Sequence, residues 1–372
     1  MGIAHHQHRH LHAIAYRANG KHPGKGEEPM ESVKAKKRPI PDQLRSEWRM
    51  LLIVIIVGFL INGCTDPEPK VYRVGVVCGA DLFLPVIDGL KSKMAELGFK
   101  EGETIVYEIY SFNNDPEGER RAAETLVAEK VDLIVTVPTQ PSVKAHRAIQ
   151  GTDIPLVFSY AGIEGIGLVE SVPRPGGNVT GVRFPGPEQI CKRLELMQAF
   201  LPKVRRVWIG YNQNYPTIGP ALQALRILSA SMGITLVEAP VTTLRELEWD
   251  LERRAREADP GLDAIILMPD TFNHSSAGWE VIRTVAKKHK IPIGGSFFYT
   301  AEQGALYCNG NEMVTVGELT APLVSKVLNG TPAGMIPVVS PEQVLTINLT
   351  VARELGVEVP RGLLSMASQI IR

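Results

Sequence analysis

From Tyr72 onward the chain alternates short, β-rich apolar runs with stretches whose apolar residues recur every three or four positions. The runs "YRVGVVC", "ETIVYEIYSF", "VDLIVTV" and "IPLVFSY" predict strands. Between them, "FLPVIDGLKSKMAELGF", closed by Gly98, "DPEGERRAAETLVAEK" and "PSVKAHRAIQG" predict helices. Asp115-Pro116 suits the start of the second helix, with Asp as N-cap and Pro in the first turn. "VDLIVTV" is apolar without alternation, as a strand covered on both faces of a parallel sheet must be. Strands and helices taken in turn imply a parallel sheet with helices on both sides, connected right-handedly.

The series then breaks at "ESVPRPGGNVTGVRFPGPEQ", dense in Pro and Gly, and restarts. After the helix "EQICKRLELMQAFL" come strands "RRVWIGYN", "ITLVEAPV", "LDAIILMPD" and "IPIGGSFF". Their helices are "PALQALRILSASMG", "LRELEWDLERRAREA" and "SAGWEVIRTVAKKHK". Two series of similar length separated by chain breakers predict two α/β lobes rather than one large sheet. The expected division is an N-terminal lobe over residues 72–184 with a return segment near 304–330, and a C-terminal lobe over 185–303 with a tail near 331–372. The C-terminal stretch, "VTVGELTAPLVSKVLNG" and "EQVLTINLTVARELG", supplies a helix, a strand and a helix and is expected to recross the hinge.

Ahead of the first strand stands an uncharged run of 12 residues, Met50–Ile61. A helix that spans a bilayer needs about 20 apolar residues, so this run is too short for an anchor. Its length suits the apolar core of a signal peptide, with Arg45 and Arg49 as the positive flank. It ends in Ile61-Asn62-Gly63-Cys64, with Gly63 directly before the cysteine and Asn62 where Ala or Ser is more usual, and so resembles a bacterial lipoprotein signal. Residues 1–63 are therefore expected to be a disordered leader and signal peptide, Cys64 the lipidated N-terminus, and 64–71 a polar tether. Residues 1–49 hold six of the nine histidines without acidic or cysteine ligands at a recognisable spacing, so no metal site is expected.

Composition narrows the function. The first 63 residues hold ten Lys/Arg against five Asp/Glu, while the whole chain has 40 of each, so Cys64 onward carries a formal charge of −5. That balance speaks against a nucleic-acid partner. Cys78, Cys191 and Cys308 are scattered, with no CxxC, and suggest neither zinc nor a disulfide framework. No glycine-rich phosphate loop follows the first strand, and no GxSxG or HExxH motif occurs. No cofactor and no catalytic residue is expected.

Several blocks carry a resemblance. They are "DGLKSKMAELGFKEGETIVYEIY", "LVAEKVDLIVTVPTQPSVKAHRAI", "IPLVFSYAGIEGIGLVESVPRPGGNVTGV" and the tail "INLTVARELGV". Together they resemble the ABC-transporter substrate-binding family associated with tryptophan and tyrosine uptake. The resemblance implies a type I periplasmic-binding-protein fold: two doubly wound parallel-sheet lobes joined by a hinge, with the ligand cleft between them. It further implies a monomeric extracytoplasmic lipoprotein, held to a bacterial membrane by its lipid, that delivers a small molecule to an ABC permease and its ATPase. Where many members have Thr-Asp-Pro after the fourth strand, this chain has Ser159-Tyr160-Ala161, which leaves the ligand open. Two alternatives remain at this point: a sensing subunit that feeds a membrane signalling partner, and a two-lobed α/β enzyme.

Ligands of parallel sheets collect at the carboxyl ends of the strands. That rule selects Ala80, Asp81, Pro138, Thr139, Gln140, Ser142, Ser159 and Tyr160 in the first lobe. In the second it selects Tyr211, Asn212, Asp270, Asn273, Ser296, Phe297 and Phe298. The turn at Thr139 enters a helix, so its free N–H groups and hydroxyls suit a carboxylate, or they simply cap that helix. Asp270 could meet an ammonium group or cap the helix after it. Tyr160, Tyr211, Phe297 and Phe298 suit an apolar or planar side chain. His274 is a lesser candidate, equally read as a solvated loop histidine. The set fits an amino acid or a related zwitterion.

Overall fold

The computed structural model describes residues 70–372 apart from Asn114. The leader, the signal run, Cys64 and most of the tether lie outside the described residues.

Two sheets form. The first has the order β2-β1-β3-β4-β5, built from β1 (Tyr72–Cys78), β2 (Ile105–Ser111), β3 (Leu133–Val137), β4 (Leu156–Ala161) and β5 (Val179–Arg183), and all its pairings are parallel. Alternation of side chains sends Val74, Val76 and Val135 to one face, beneath helices Leu84–Glu96 and Met313–Leu328. It sends Val77, Ile134 and Phe158 to the other, beneath helices Pro116–Ala128 and Thr139–Ala148. This two-sided burial is why the strand sequences are apolar throughout.

The second sheet contains β6 (Arg206–Asn212), β7 (Thr235–Val241), β8 (Ala264–Ile266), β9 (Ile293–Gly295), β10 (Tyr307–Gly310), β11 (Val344–Asn348) and β12 (Gln369–Ile371). Its order is β12-β11-β10-β9-β8-β6-β7, parallel except where β11 runs antiparallel to β10. Val207, Ile209 and Ile266 pack under helices Gly186–Phe200 and Ile218–Ser231. Trp208, Ile265 and Ile293 pack under Leu244–Arg254 and Ser276–His289. The two doubly wound lobes are thus present.

Three strands and one boundary differ from the sequence reading. β5 lies inside the Pro/Gly-rich break, where Gly181 and flanking breakers hide its strand character; only the tertiary pairing to β4 reveals it. β10 is four residues long and ends in Asn-Gly, a turn signal. β12 has three residues and exists through its pairing with β11. The return to the first lobe runs from Met313 to Val339, which bridges Val182, while residues 307–310 pair in the second sheet. The chain therefore passes between the lobes three times, after β5, after β10 and before β11.

The returning helix Met313–Leu328 crosses helix Leu84–Glu96 with almost no space between the backbones. A Cβ on Gly317 would overlap the Val86 carbonyl, and one on Gly89 would overlap the Val314 carbonyl. Glycine is required at both positions for that approach. Ser159 at the end of β4 is held in the same seam, its hydroxyl 2.6 Å from that of Thr320.

Side chains also tie the passages together. Asn311, on the second, takes hydrogen bonds on its Oδ1 from the Tyr160 hydroxyl (3.1 Å) and from Gln189 Nε2. Its own Nδ2 donates to the Glu342 carbonyl (2.6 Å), on the third. Arg183, on the first, pairs with Glu164 and Glu188 and donates to Ser340 at 2.7 Å. Tyr160 adopts φ +59°, the left-handed region that a bulky residue rarely occupies. The break in β4–β5 register between Ser159 and Ala161 falls there.

Candidate functional site

Between the sheets, at the carboxyl ends of their strands, lies a cavity of about 1030 Å³. That is near the upper end for small-molecule pockets. Eight of the fifteen residues selected from the sequence line it: Ala80, Asp81, Pro138, Thr139, Tyr160, Asp270, Ser296 and Phe297. The other seven are turned to structural work or to solvent.

Ser142 is fully buried, its hydroxyl bonded to the Pro138 carbonyl (2.6 Å) and to Thr136 Oγ1 (2.9 Å). Gln140 is half-buried outside the cavity. Ser159 belongs to the helix seam. Tyr211 donates to Glu238 Oε2 at 2.8 Å, at the β6–β7 edge of the second lobe. Asn212 uses its side chain on the Asn214 N–H. Asn273 Nδ2 donates to the Gly210 carbonyl and to Asp270. Phe298 opens a short helix and is 44% exposed.

The two polar groups expected to grip a zwitterion are largely occupied. Thr139 Oγ1 accepts the Gly162 N–H at 3.0 Å, so this hydroxyl pins a loop beside the cavity. Asp270 is 2% exposed and caps helix Thr271–His274, accepting N–H bonds from Phe272, Asn273 and Asn212 and from the Asn273 amide. Burial pushes its carboxyl up, against the pull of those donors. Its lone pairs are committed within the protein. Asp81 is different: it stands exposed at the first-lobe rim and, among the described residues, accepts only the Ser111 hydroxyl, at 3.3 Å.

Strand-end reasoning missed most of the aromatic lining. Phe83, Phe184, Tyr215, Trp279 and Tyr299 join Tyr160 and Phe297 around the cavity. Rings from opposite lobes touch, Phe83 against Phe297 edge-on at 6.2 Å. His274 stacks edge-on against Phe297 at 4.8 Å. Phe83, Trp279 and Tyr299 lie within helices, Tyr215 lies deeper in the loop after β6, and Phe184 follows β5, the strand hidden in the break.

Arg193 was also missed. It is 1% exposed, in the middle of helix Gly186–Phe200, yet it lines the cavity. The available signal was a cation on the helix stripe that otherwise holds Ile190, Met197 and Phe200. Burial pushes its pKa down to about 10.

His274 completes this wall. Nδ1 lies 3.3 Å from the Tyr299 hydroxyl, the Met268 carbonyl stands close enough to act on the ring, and Nε2 makes no hydrogen bond of normal geometry among the described residues. Burial, and then the Arg193 charge, push the imidazole down to about 3. An unfolded histidine binds its proton near pH 6.5, so between about 6.5 and 3 the unfolded chain holds one proton more than the folded one. Acidification through that window should therefore destabilise the fold, by up to about 1.4 kcal/mol for each pH unit. A His274→Gln variant should show a shallower fall in urea midpoint between about pH 7 and 5 than the wild type. Equal falls would mean that the folded ring takes up its proton normally.

Comparisons with known proteins agree with this architecture. The profile described as ABC transporter substrate binding protein matches residues 73–371, and the chain belongs to that family. A "Tyrosine-binding protein" of Clostridioides difficile (strain R20291) is 27% identical over 252 residues, 67% of this chain and 70% of that one. A solved ABC domain in complex with L-Trp from Streptococcus pneumonia superposes with a TM-score of 0.73 at 23% identity, covering 81% of this chain and all of that one. A conserved domain protein from Vibrio cholerae gives a TM-score of 0.72 at 24% identity, covering 82% and 100%. The fold is that of type I periplasmic binding proteins, and the family role is solute capture for ABC transport outside the cytoplasm. Among the described residues no helix is long and apolar enough to cross a membrane.

Proposed function

We propose that this protein captures an aromatic amino acid, or a zwitterion like it, in the inter-lobe cavity and presents it to an ABC permease. The observation that carries this reading is the meeting of aromatic rings from both lobes around one cavity, with Phe83 of the first against Phe297 of the second. A guest that stacks on both sets gains more from the closed arrangement than from a parted one, and that difference is what shifts the lobes together. Asp81, with acceptor capacity to spare, suits the ammonium group. The relatives named for tyrosine and for L-Trp binding support the ligand class.

The protein acts by binding, without chemistry of its own. It works as a monomer, tethered through a lipid on Cys64, with residues 64–71 as spacer. Isothermal titration of the full-length protein against the twenty amino acids should give binding confined to aromatic members. Silence across the set, or a preference for aliphatic or charged members, would end this reading. Mass spectrometry of membrane-extracted protein should show a diacylglyceryl modification on Cys64; an intact leader would remove the tether.

A further inference from the structure

We propose that Arg193 is the specificity-determining cation of this cavity and that the guest docks on it through a carboxylate. The proposal deepens the reading just given and rests on the cavity being the ligand site. Arg193 is almost wholly buried, and among the described residues no carboxylate pairs with it. Its Nε donates to the Asn309 carbonyl (3.0 Å), one Nη to the Leu267 carbonyl (2.9 Å) and the other to Gln189 Oε1 (3.2 Å). All three partners are neutral. A guanidinium has five N–H groups, so one remains on each terminal nitrogen. Two N–H groups on adjacent nitrogens are the fork that receives both oxygens of a carboxylate.

A buried charge with only dipoles around it is held at a large desolvation penalty, and an anionic guest relieves it. A second observation points the same way. Ser296 is 3% exposed and lines the same cavity, and its hydroxyl has no hydrogen-bond partner among the described residues. His274 Nε2 likewise makes no hydrogen bond of normal geometry among the described residues, and burial keeps the ring neutral at physiological pH, so it can bond the guest without repelling it. The other cation on the rim, Arg283, is paired with Glu280 at 2.5 Å. One free positive charge among the described residues of the lining suits a monoanionic carboxylate better than a dianion such as phosphate.

The test uses three matched pairs of compounds on the full-length protein by isothermal titration. L-tryptophan and L-tyrosine carry both charges, tryptamine and tyramine lack the carboxylate, and indole-3-acetate and 4-hydroxyphenylacetate lack the ammonium. The wild type should bind the amines about 30-fold or more weakly than the amino acids, the loss expected when one member of a desolvated pair is removed. Arg193→Gln should lose affinity for L-tryptophan by a similar factor and change little toward tryptamine, with Arg193→Lys in between. Ser296→Ala should weaken L-tryptophan roughly two- to tenfold.

Amines that bind the wild type as tightly as the amino acids overturn the Arg193 assignment while leaving the aromatic cavity intact. This arm needs no variant to fold. Folded Arg193→Gln with unchanged affinity for L-tryptophan overturns it as well. Binding by the two acids but not by the amino acids upholds Arg193 and removes the amino-acid reading. Silence from all six removes both.

Discussion

Asp270→Ala should lower stability by about 3 to 5 kcal/mol. The substitution strips the cap from helix Thr271–His274 and leaves the N–H groups of Asn212, Phe272 and Asn273, and the Asn273 amide, without their acceptor. A lost cap costs about 1 kcal/mol, and each buried donor left unpaired about 1 to 3 kcal/mol. Water from the adjacent cavity can reach some of these groups, which keeps the total below the plain sum. A fall in melting temperature on the order of 10 °C follows for a chain of this size. Affinity of the folded fraction should stay within a few-fold, because the lone pairs that an ammonium group would use already serve the protein. A variant of normal stability that has lost its ligand would reverse this account and return Asp270 to the recognition role that its position after β8 suggests.

The second large effect is expected at Gly317. In Gly317→Val the new side chain meets the Val86 carbonyl and the Leu90 N–H, both backbone groups within helix Leu84–Glu96. No rotamer change removes a clash with backbone, so the helices must part and uncover Val86, Leu90, Val316 and Val324. The expected loss is about 4 kcal/mol or more, at the upper end for single substitutions. Among the described residues the tryptophans, Trp208, Trp249 and Trp279, all lie in the second lobe. Urea unfolding followed by far-ultraviolet circular dichroism should therefore begin at lower concentration in the variant than the transition followed by tryptophan fluorescence. Wild-type stability, with coincident curves, would show that the seam tolerates a wider spacing.

These two residues also mark how far the sequence could be read. The hydrophobic period located nine of the twelve strands and most helices, because strands covered on both faces have no polar positions to blur the signal. The two lobes followed from the Pro/Gly break. β5 and β10 did not, since Gly181 in one and Asn309-Gly310 in the other carry local turn signals that long-range pairing overrides. Within the site, the strand-end rule found the loops but not the direction of their side chains. Thr139 and Asp270 stand where ligand groups would stand, and their own backbones use them. Arg193 shows the reverse. It comes from the middle of a helix, and only the cation on an apolar stripe hinted at it.

The three passages between the lobes bear on how the chain is made. Helix Met313–Leu328 and Val339 complete the first lobe, yet they follow β6 to β10 in sequence. A polypeptide leaving the ribosome amino end first cannot finish covering one face of its opening sheet until nearly all of it has been synthesised. Early folding of the leading half is thereby denied its largest apolar contact. The delay keeps the nascent first lobe open until the second lobe has been made.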